Sequence, residues 1–441
     1  MKYILTLLLT LSGWLLWPAL STAQVADDST LASGTLEHII QYTLHHQPAI
    51  QKSVLDEQIT RAQVNTRLAD WAPAIDFNYN VQHNFQLPTT VFMGQVIQLG
   101  NKNTSYGQLI YNQNILNGDL LYAANSAKSA KLLSRQVTEN YRINAVADVS
   151  KAFYAVLLAR QQMDVNDADI TRLERSVKDS KSRYDNGIVD KTDWQRATIA
   201  LNNAKALKRS NEELYKARMQ MLKAIMGYPT DAVLDVVYDS LQMESEVSYD
   251  VARNPDYNNR IEYQSLLTQR KLIAANVSHA KNSFVPNIAG YADYNANFLN
   301  NQFSELYAKN YPSSYAGLTV AFPLVRGGKR IMAVRQAKWQ LRKTDWDLTD
   351  LRNNINAEYA QAEAAYLSSL ANYTALHENL DLAQQVYHTI DLQYRSGVKT
   401  YLEVVNAESD LRAAHINYYN ALYQVLSGKI DLLRASGQLK F

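Results

Sequence analysis

The stretch YDNGIVDKTDWQRATIALNNAKALKRSNEELYKARMQMLKAIMG, residues 184–227, is met again 210 residues later as YRSGVKTYLEVVNAESDLRAAHINYYNALYQVLSGKIDLLRASG, residues 394–437. Tyr184, Gly187, Asp193, Ala197, Leu201, Ala204, Leu222 and Gly227 return as Tyr394, Gly397, Glu403, Ala407, Leu411, Ala414, Leu432 and Gly437 at one constant offset. Upstream the match continues with small indels: Trp71, Pro73 and Ile75 answer to Phe284, Pro286 and Ile288, and Asn117-Gly118 to Arg326-Gly327. Each half therefore carries a helix, a strand pair and two long helices joined at a Tyr-x-x-Gly tip. A repeat of this size predicts two structural copies packed about a pseudo-symmetry axis.

From Asp119 to Tyr184 there is no Pro and no Gly, and apolar residues step by three and four through Val137, Tyr141, Val149, Ala152 and Val156 to Leu173 and Val177. That period is helical. At about 1.5 Å per residue it predicts a rod on the order of 100 Å long. Ile331 to Tyr394 is equally free of breakers, and return helices are expected over Lys191–Met226 and Thr400–Ser436, with Gly227 and Gly437 where a C-cap glycine belongs. Shorter helices, about Leu36–Ala69 and Asn259–Lys281, stop near Pro73 and Pro286, because the residue before a Pro avoids the helical region. Ala197, Ala200, Ala204 and Ala206 in one return helix, and Ala407, Ala413, Ala414 and Ala421 in the other, point to close antiparallel packing. A solvated coiled-coil stalk and a tubular wall both read this way.

Between the helices lie four strand candidates. Ile75, Phe77, Tyr79, Val81 and Phe85 alternate with Asp76, Asn78, Asn80, Gln82, Asn84 and Gln86, and Ile288 to Phe298 repeats the pattern against Asn287, Asp293, Asn295 and Asn297. Returning strands are expected over Tyr106–Ile115 and Tyr315–Leu324, after polar, Asn-rich loops at Leu87–Ser105 and Leu299–Ser313. One apolar and one amide face suits either a soluble antiparallel sheet or a barrel with lipid outside and water inside. Four strands are too few to close a barrel and make a poor soluble core beside helices of this length. Three chains would offer twelve.

Residues Met1 to Ala23, with Lys2 ahead of an apolar run Ile4–Leu16, then Pro18 and the small triplet Ser21-Thr22-Ala23, read as a cleavable signal peptide. Its removal takes Lys2 and no acid, so the net charge of +2 becomes +1. A near-neutral chain gives no support to a nucleic-acid partner. With no Cys there are no disulfides, no thiolate metal sites and no lipid-attachment Cys. After the signal no apolar run is long enough for a transmembrane helix, so entry into a membrane requires a closed barrel.

In the order and spacing of these features the chain resembles the TolC-like outer membrane efflux proteins. The resemblance covers essentially the whole mature chain: the signal peptide, the duplicated halves, the W/F-x-P-x-I strand start, the strand-to-helix corners Ile115-Leu116-Asn117-Gly118-Asp119 and Pro323-Leu324-Val325-Arg326-Gly327-Gly328, and both Tyr-x-x-Gly tips. Both corners depart from the family's Phe-Asp/Asn-Gly-Gly run. The resemblance implies a mainly α fold with a membrane β part: a homotrimer forming a twelve-stranded β-barrel in outer-membrane lipid, continued by a twelve-helix periplasmic α-barrel. It also implies tips closed at rest, engaged by a periplasmic membrane fusion (adaptor) protein and an inner-membrane RND or ABC-type pump. The adaptor-docking tips would be Tyr184, Gly187, Tyr394 and Gly397. The periplasmic gate would be Asp193, bonded to Tyr394 and Lys399, with Glu403 as an acidic ring and Asn406 where relatives carry a second acid. Lys399 replaces a more usual Arg and lacks its bidentate fork. Taken alone, Asp193 also reads as a helix-start residue.

The domain frame is a signal peptide at 1–23; a first repeat at 24–230, with strands about 75–86 and 106–115 and a hairpin about 119–227 whose tip is near 184–190; a linker at 231–258; and a second repeat at 259–441, with strands about 287–298 and 315–324 and a hairpin about 329–437 whose tip is near 394–400. No enzyme motif appears: Gly327-Gly328-Lys329 lacks the upstream Gly and the following Ser or Thr of a phosphate loop. His45-His46 has no third metal ligand at helical spacing. No cofactor is expected. The reading is an export duct for small molecules or proteins; the alternative is a periplasmic coiled-coil scaffold or adaptor that never enters the membrane.

Overall fold

The computed structural model describes residues 31, 34–237, 240–248, 257–325 and 327–439. The expected signal peptide, part of the linker and Arg326 lie outside the described residues. The helices are α1 (Leu36–His46), α2 (Pro48–Ala69), α3 (Gly118–Asp185), α4 (Lys191–Met226), α5 (Ser240–Ser245), α6 (Ile261–Lys281), α7 (Lys329–Arg395) and α8 (Tyr401–Ala435). The strands are β1 (Ala74–His83), β2 (Thr89–Phe92), β3 (Gln95–Gln98), β4 (Asn103–Leu116), β5 (Asn287–Asn300) and β6 (Asn310–Ala321).

At 68 and 67 residues, α3 and α7 are the rods the breaker-free stretches predict. Each folds back along its return helix, α4 or α8, and the shorter helices α2 and α6 flank the part of α3 nearest the strands. Helices α3, α4 and α7 end in one hydrogen-bonded pattern, seen again just after α8. The N–H after a left-handed glycine reaches the carbonyl five residues back: Ile188 to Arg183 at 2.9 Å, Tyr228 to Lys223 at 2.8 Å, Val398 to Gln393 at 2.9 Å and Gln438 to Leu433 at 2.9 Å. This is the duplication at atomic level.

One helix boundary differs from the periodicity. The expected helix Leu36–Ala69 is cut at Gln47, whose φ of −62° and ψ of 124° are the extended setting imposed by Pro48. The return helix α8 runs as expected from Tyr401 to Ala435 and passes through Gly428, where an added Cβ would lie 3.5 Å from the Tyr366 Cα, an ordinary contact distance.

The core sits at mid-length, where α1, α3, α4, α7 and α8 converge: Ile39, Val149, Val156, Leu222, Met226, Tyr366 and Val425 are fully buried there. Arg260, 5% exposed, fastens the second repeat's start to its end. It donates to the Ala435 carbonyl at 2.8 Å and to Glu358 at 2.8 Å.

The four long strands form one antiparallel sheet in the order β1-β4-β5-β6. Its register places Phe77 opposite Leu109, Leu109 opposite Tyr294, and Gly290 opposite Leu318. One face therefore collects Ile75, Phe77, Tyr79, Leu109, Tyr294, Leu318 and Val320, all exposed; Ile75 is 68% exposed and Leu318 68%. The other collects Asn78, Asn80, Gln108, Asp293 and Asn295, with Gln108 donating to Asp293 at 2.6 Å. Strand β6 starts at Asn310 rather than Tyr315 and stops before Phe322. Pairing with β5 up to Phe298 draws its start forward, and Pro323 has no N–H to extend it. Pro312 is tolerated because β6 is an edge. The loop after β1 contains the additional hairpin β2–β3, turning on Met93 and Gly94 with φ of 50° and 78°.

Candidate functional site

Both hairpin tips are tight turns made of the repeated glycine. Gly187 and Gly397 have φ of 71° and 79°, and nothing lies within 4 Å of where a Cβ would stand. Their role is conformational, since only Gly takes the left-handed region without strain. The tips are exposed at the far end of the rods from the sheet.

The two Tyr residues that answer each other in sequence have different surroundings. Tyr184 stacks on Trp194 at 6.2 Å, with the Lys181 ammonium 6.0 Å from the same indole. Tyr394 turns toward the other hairpin: the Arg183 guanidinium lies 4.7 Å over its ring, and Tyr401 packs against it at 5.8 Å. Tyr401, 3% exposed, bonds Ser176 of α3 at 2.8 Å and packs with Ala197 and Val404. Burial pushes the Tyr401 phenol up to about 12. Burial also raises Tyr394, with the carboxylates of Asp193, Asp179 and Asp391 adding to the effect against Arg183.

Lys399 does not reach Asp193. Its Nζ donates to Glu403 Oε1 at 2.5 Å, and the other oxygen of Glu403 accepts from the Thr400 N–H at 2.9 Å in a capping box. Lys399 and Glu403 are one turn apart, so a local pair that also caps α8 outcompetes a partner on another hairpin. The Lys399 ammonium, and then the Thr400 amide, hold the Glu403 carboxyl down to about 2. Asp193 occupies the matching turn of α4, half-buried. Among the described residues its carboxylate makes no hydrogen bond and acts on Tyr394 only through its field. Asn406 is exposed on α8, past Glu403. The structure thus brings Tyr394 near Asp193 and joins Lys399 to Glu403.

Arg183, Ser176 and Tyr401, which tie hairpin to hairpin, were not singled out from the sequence. The one available signal was asymmetry: the positions answering Arg183 and Tyr401 are Gln393 and Lys191, so these residues are not part of the repeat.

Farther up the same hairpins, Arg172 pairs with Asp169 and lies 5.5 Å over the Tyr387 ring. Burial raises the Glu408 carboxyl nearby and lowers His415. A cavity of about 270 Å³ opens beside Asp169, Arg172, Arg196, Glu408 and Arg412. His45 and His46 are exposed, and His46 is occupied with Tyr42, stacked at 3.9 Å. The contacts at the tips join one hairpin to the other, through Arg183 over Tyr394 and Ser176 to Tyr401.

The family model described as "Outer membrane efflux protein" matches residues 39–228 and 258–438, one segment for each half. The alkaline protease secretion protein AprF of Pseudomonas aeruginosa is 21% identical over 406 residues, covering 90% of this chain and 82% of that protein. The outer membrane protein TolC of Vibrio cholerae is 21% identical over 320 residues, covering 71% and 73%. Among solved structures, the outer membrane protein VceC of Vibrio cholerae superimposes with a TM-score of 0.73 at 15% identity, over 91% of this chain and 96% of that one.

Proposed function

The chain belongs to the outer membrane efflux protein family, and on that premise we propose that it is the outer-membrane exit duct of a tripartite export system. The family is one of Gram-negative outer-membrane channels, not of enzymes. In this reading three copies close one barrel, the rods form a tunnel across the periplasm, and the tips meet an adaptor and an inner-membrane pump that supplies the energy. The supporting observation is the sheet: four strands with two open edges, an exposed apolar face and an amide-lined face. Lipid tolerates no open edge, so the edges of β1 and β6 have to pair with further copies. The exposed Ile75, Phe77, Leu318 and Val320 also argue against the scaffold alternative, since water would face them in a protein that never inserts.

At the tips, Asp193, Tyr394, Lys399, Glu403 and Asn406 surround the resting closure. We assign the hold between hairpins to Arg183–Tyr394 and Ser176–Tyr401, with Glu403–Lys399 setting the first turn of α8. The relatives' names include both efflux and protease secretion, and this chain's cargo class is the open choice between them. Purified protein in planar bilayers tests the duct: cross-linkable trimers with discrete conductance steps are expected. Monomers that stay soluble without detergent and never conduct would refute it.

A further inference from the structure

The corner where β6 passes into α7 holds a cavity of about 500 Å³ that no function assigned above uses. Four of its lining residues are cations, Lys281, Arg330, Arg335 and Lys338, and among the described residues no carboxylate lines it. Phe284, Ile331 and Val334 form the apolar remainder. Arg330 is only 9% exposed, and its Nε and Nη2 are buried without a hydrogen-bond acceptor. Its guanidinium stands 4.5 Å over the Phe284 ring, which orients the group but accepts no hydrogen bond in the ring plane. A buried guanidinium left in this state is strongly unfavourable unless something supplies an acceptor. The helix start adds to the same demand. The N-cap of α7 is Gly328 with no side-chain cap, and the first turn carries no acid. At the equivalent corner of the first repeat, Asn117 caps the Asp119 N–H and Asp119 supplies the charge.

We infer that this corner binds the phosphate of an anionic glycerophospholipid, with the guanidinium of Arg330 on the phosphate oxygens and the acyl chains on the apolar collar beside it. Phosphate suits the site because Arg presents a fork of N–H donors to it, and uncapped helix amides favour anions. A lipid rather than a free ion is favoured by the collar: Phe322 is 57% exposed, Leu324 80%, Val325 89%, Ile331 63% and Met332 58%, contiguous with the cations. The corner also lies where the exposed apolar face of the sheet gives way to the rods, the level of lipid headgroups if the sheet spans the membrane. The inference rests on that reading of the sheet.

The test uses the full-length trimer, delipidated in mild detergent and titrated with phosphatidylglycerol, with lipid retention followed by native mass spectrometry and melting by circular dichroism. Phosphatidylglycerol should be retained and raise the melting temperature. Arg330→Gln should cut retention about tenfold or more, as expected for losing a charge-assisted bidentate contact. Because Arg330→Gln alters a buried group, the surface pair Arg335→Gln, Lys338→Gln is measured beside it and should also weaken retention, whereas Lys102→Gln at the other end of the sheet should not. Equal stabilisation by inorganic phosphate would overturn the lipid assignment. So would unchanged retention in the variants, or a lipid-free trimer that Arg330→Gln dissociates with no lipid dependence; the last result would place a neighbouring copy's carboxylate on Arg330. A protein that inserts and conducts yet shows no phosphatidylglycerol dependence sinks only this inference. One that never forms trimers sinks the duct.

Discussion

Removing the hold between the two hairpins should open the resting tips. The perturbation is Arg183→Gln with Tyr401→Phe, which deletes a guanidinium 4.7 Å over the Tyr394 ring and a hydroxyl bonded to Ser176 at 2.8 Å, while leaving both aromatic rings packed. A half-exposed cation–π contact contributes about 0.5–1 kcal/mol, and a hydrogen bond about 0.5–1.5 kcal/mol net. Together the loss is about 1–2.5 kcal/mol per chain, and about 3–7.5 kcal/mol if three chains open as one. At about 1.4 kcal/mol per decade, the closed-to-open ratio should fall by two to five decades. Single-channel recording in planar bilayers reads this directly, and uptake of a large glycopeptide antibiotic by cells lacking the pump reads it in vivo. Trimer melting establishes that the variant is folded. Conductance and uptake equal to the parent's would refute the assignment. If Asp193→Ala alone opened the pore as far as the double variant, the carboxylate and not the guanidinium would be what restrains Tyr394.

Two further outcomes follow from the geometry. Gly187→Ala and Gly227→Ala both place a side chain at a φ near 70°, at about 1–2 kcal/mol, but only at Gly227 does the new Cβ fall 2.7 Å from the His46 carbonyl oxygen. Gly227→Ala should therefore lower the trimer melting temperature by clearly more, and equal shifts would show that α1 yields at no cost. Two acids of α8, Glu408 and Glu403, should respond to pH in opposite senses. Burial, with help from Asp391 and against Arg172 and Arg412, raises the Glu408 carboxyl, so its ionised form costs stability at pH 7 and the cost fades as pH falls toward 4.5. Glu408→Gln should thus raise the melting temperature at pH 7–8 and change nothing at pH 4. Glu403, held to about 2, keeps its contribution above about pH 4.5 and loses it between there and 2, so Glu403→Gln should destabilise at pH 7. A reversed order for the two variants would contradict the burial and pairing seen here.

The sequence by itself determined the repeat, the rods, the alternating strands and the glycine tips, because each is set by residues close together along the chain. A left-handed glycine, a breaker-free run and a period of two or three to four act within a few turns and need no partner. The same locality accounts for the break at Pro48, which was there to be read.

What the tertiary structure alone decided is which side chains meet. Lys399 had two acids of suitable chemistry, Asp193 across the hairpins and Glu403 one turn away, and spacing cannot rank a distant partner against a capping box. Tyr184 and Tyr394 hold identical places in the repeat, yet one stacks on Trp194 and the other beneath Arg183, because the neighbouring helix differs. The unpaired guanidinium of Arg330 is likewise invisible in a run of basic residues. It takes shape only where the end of α6 and the start of α7 enclose it, and burial then leaves two of its nitrogens without an acceptor among the described residues.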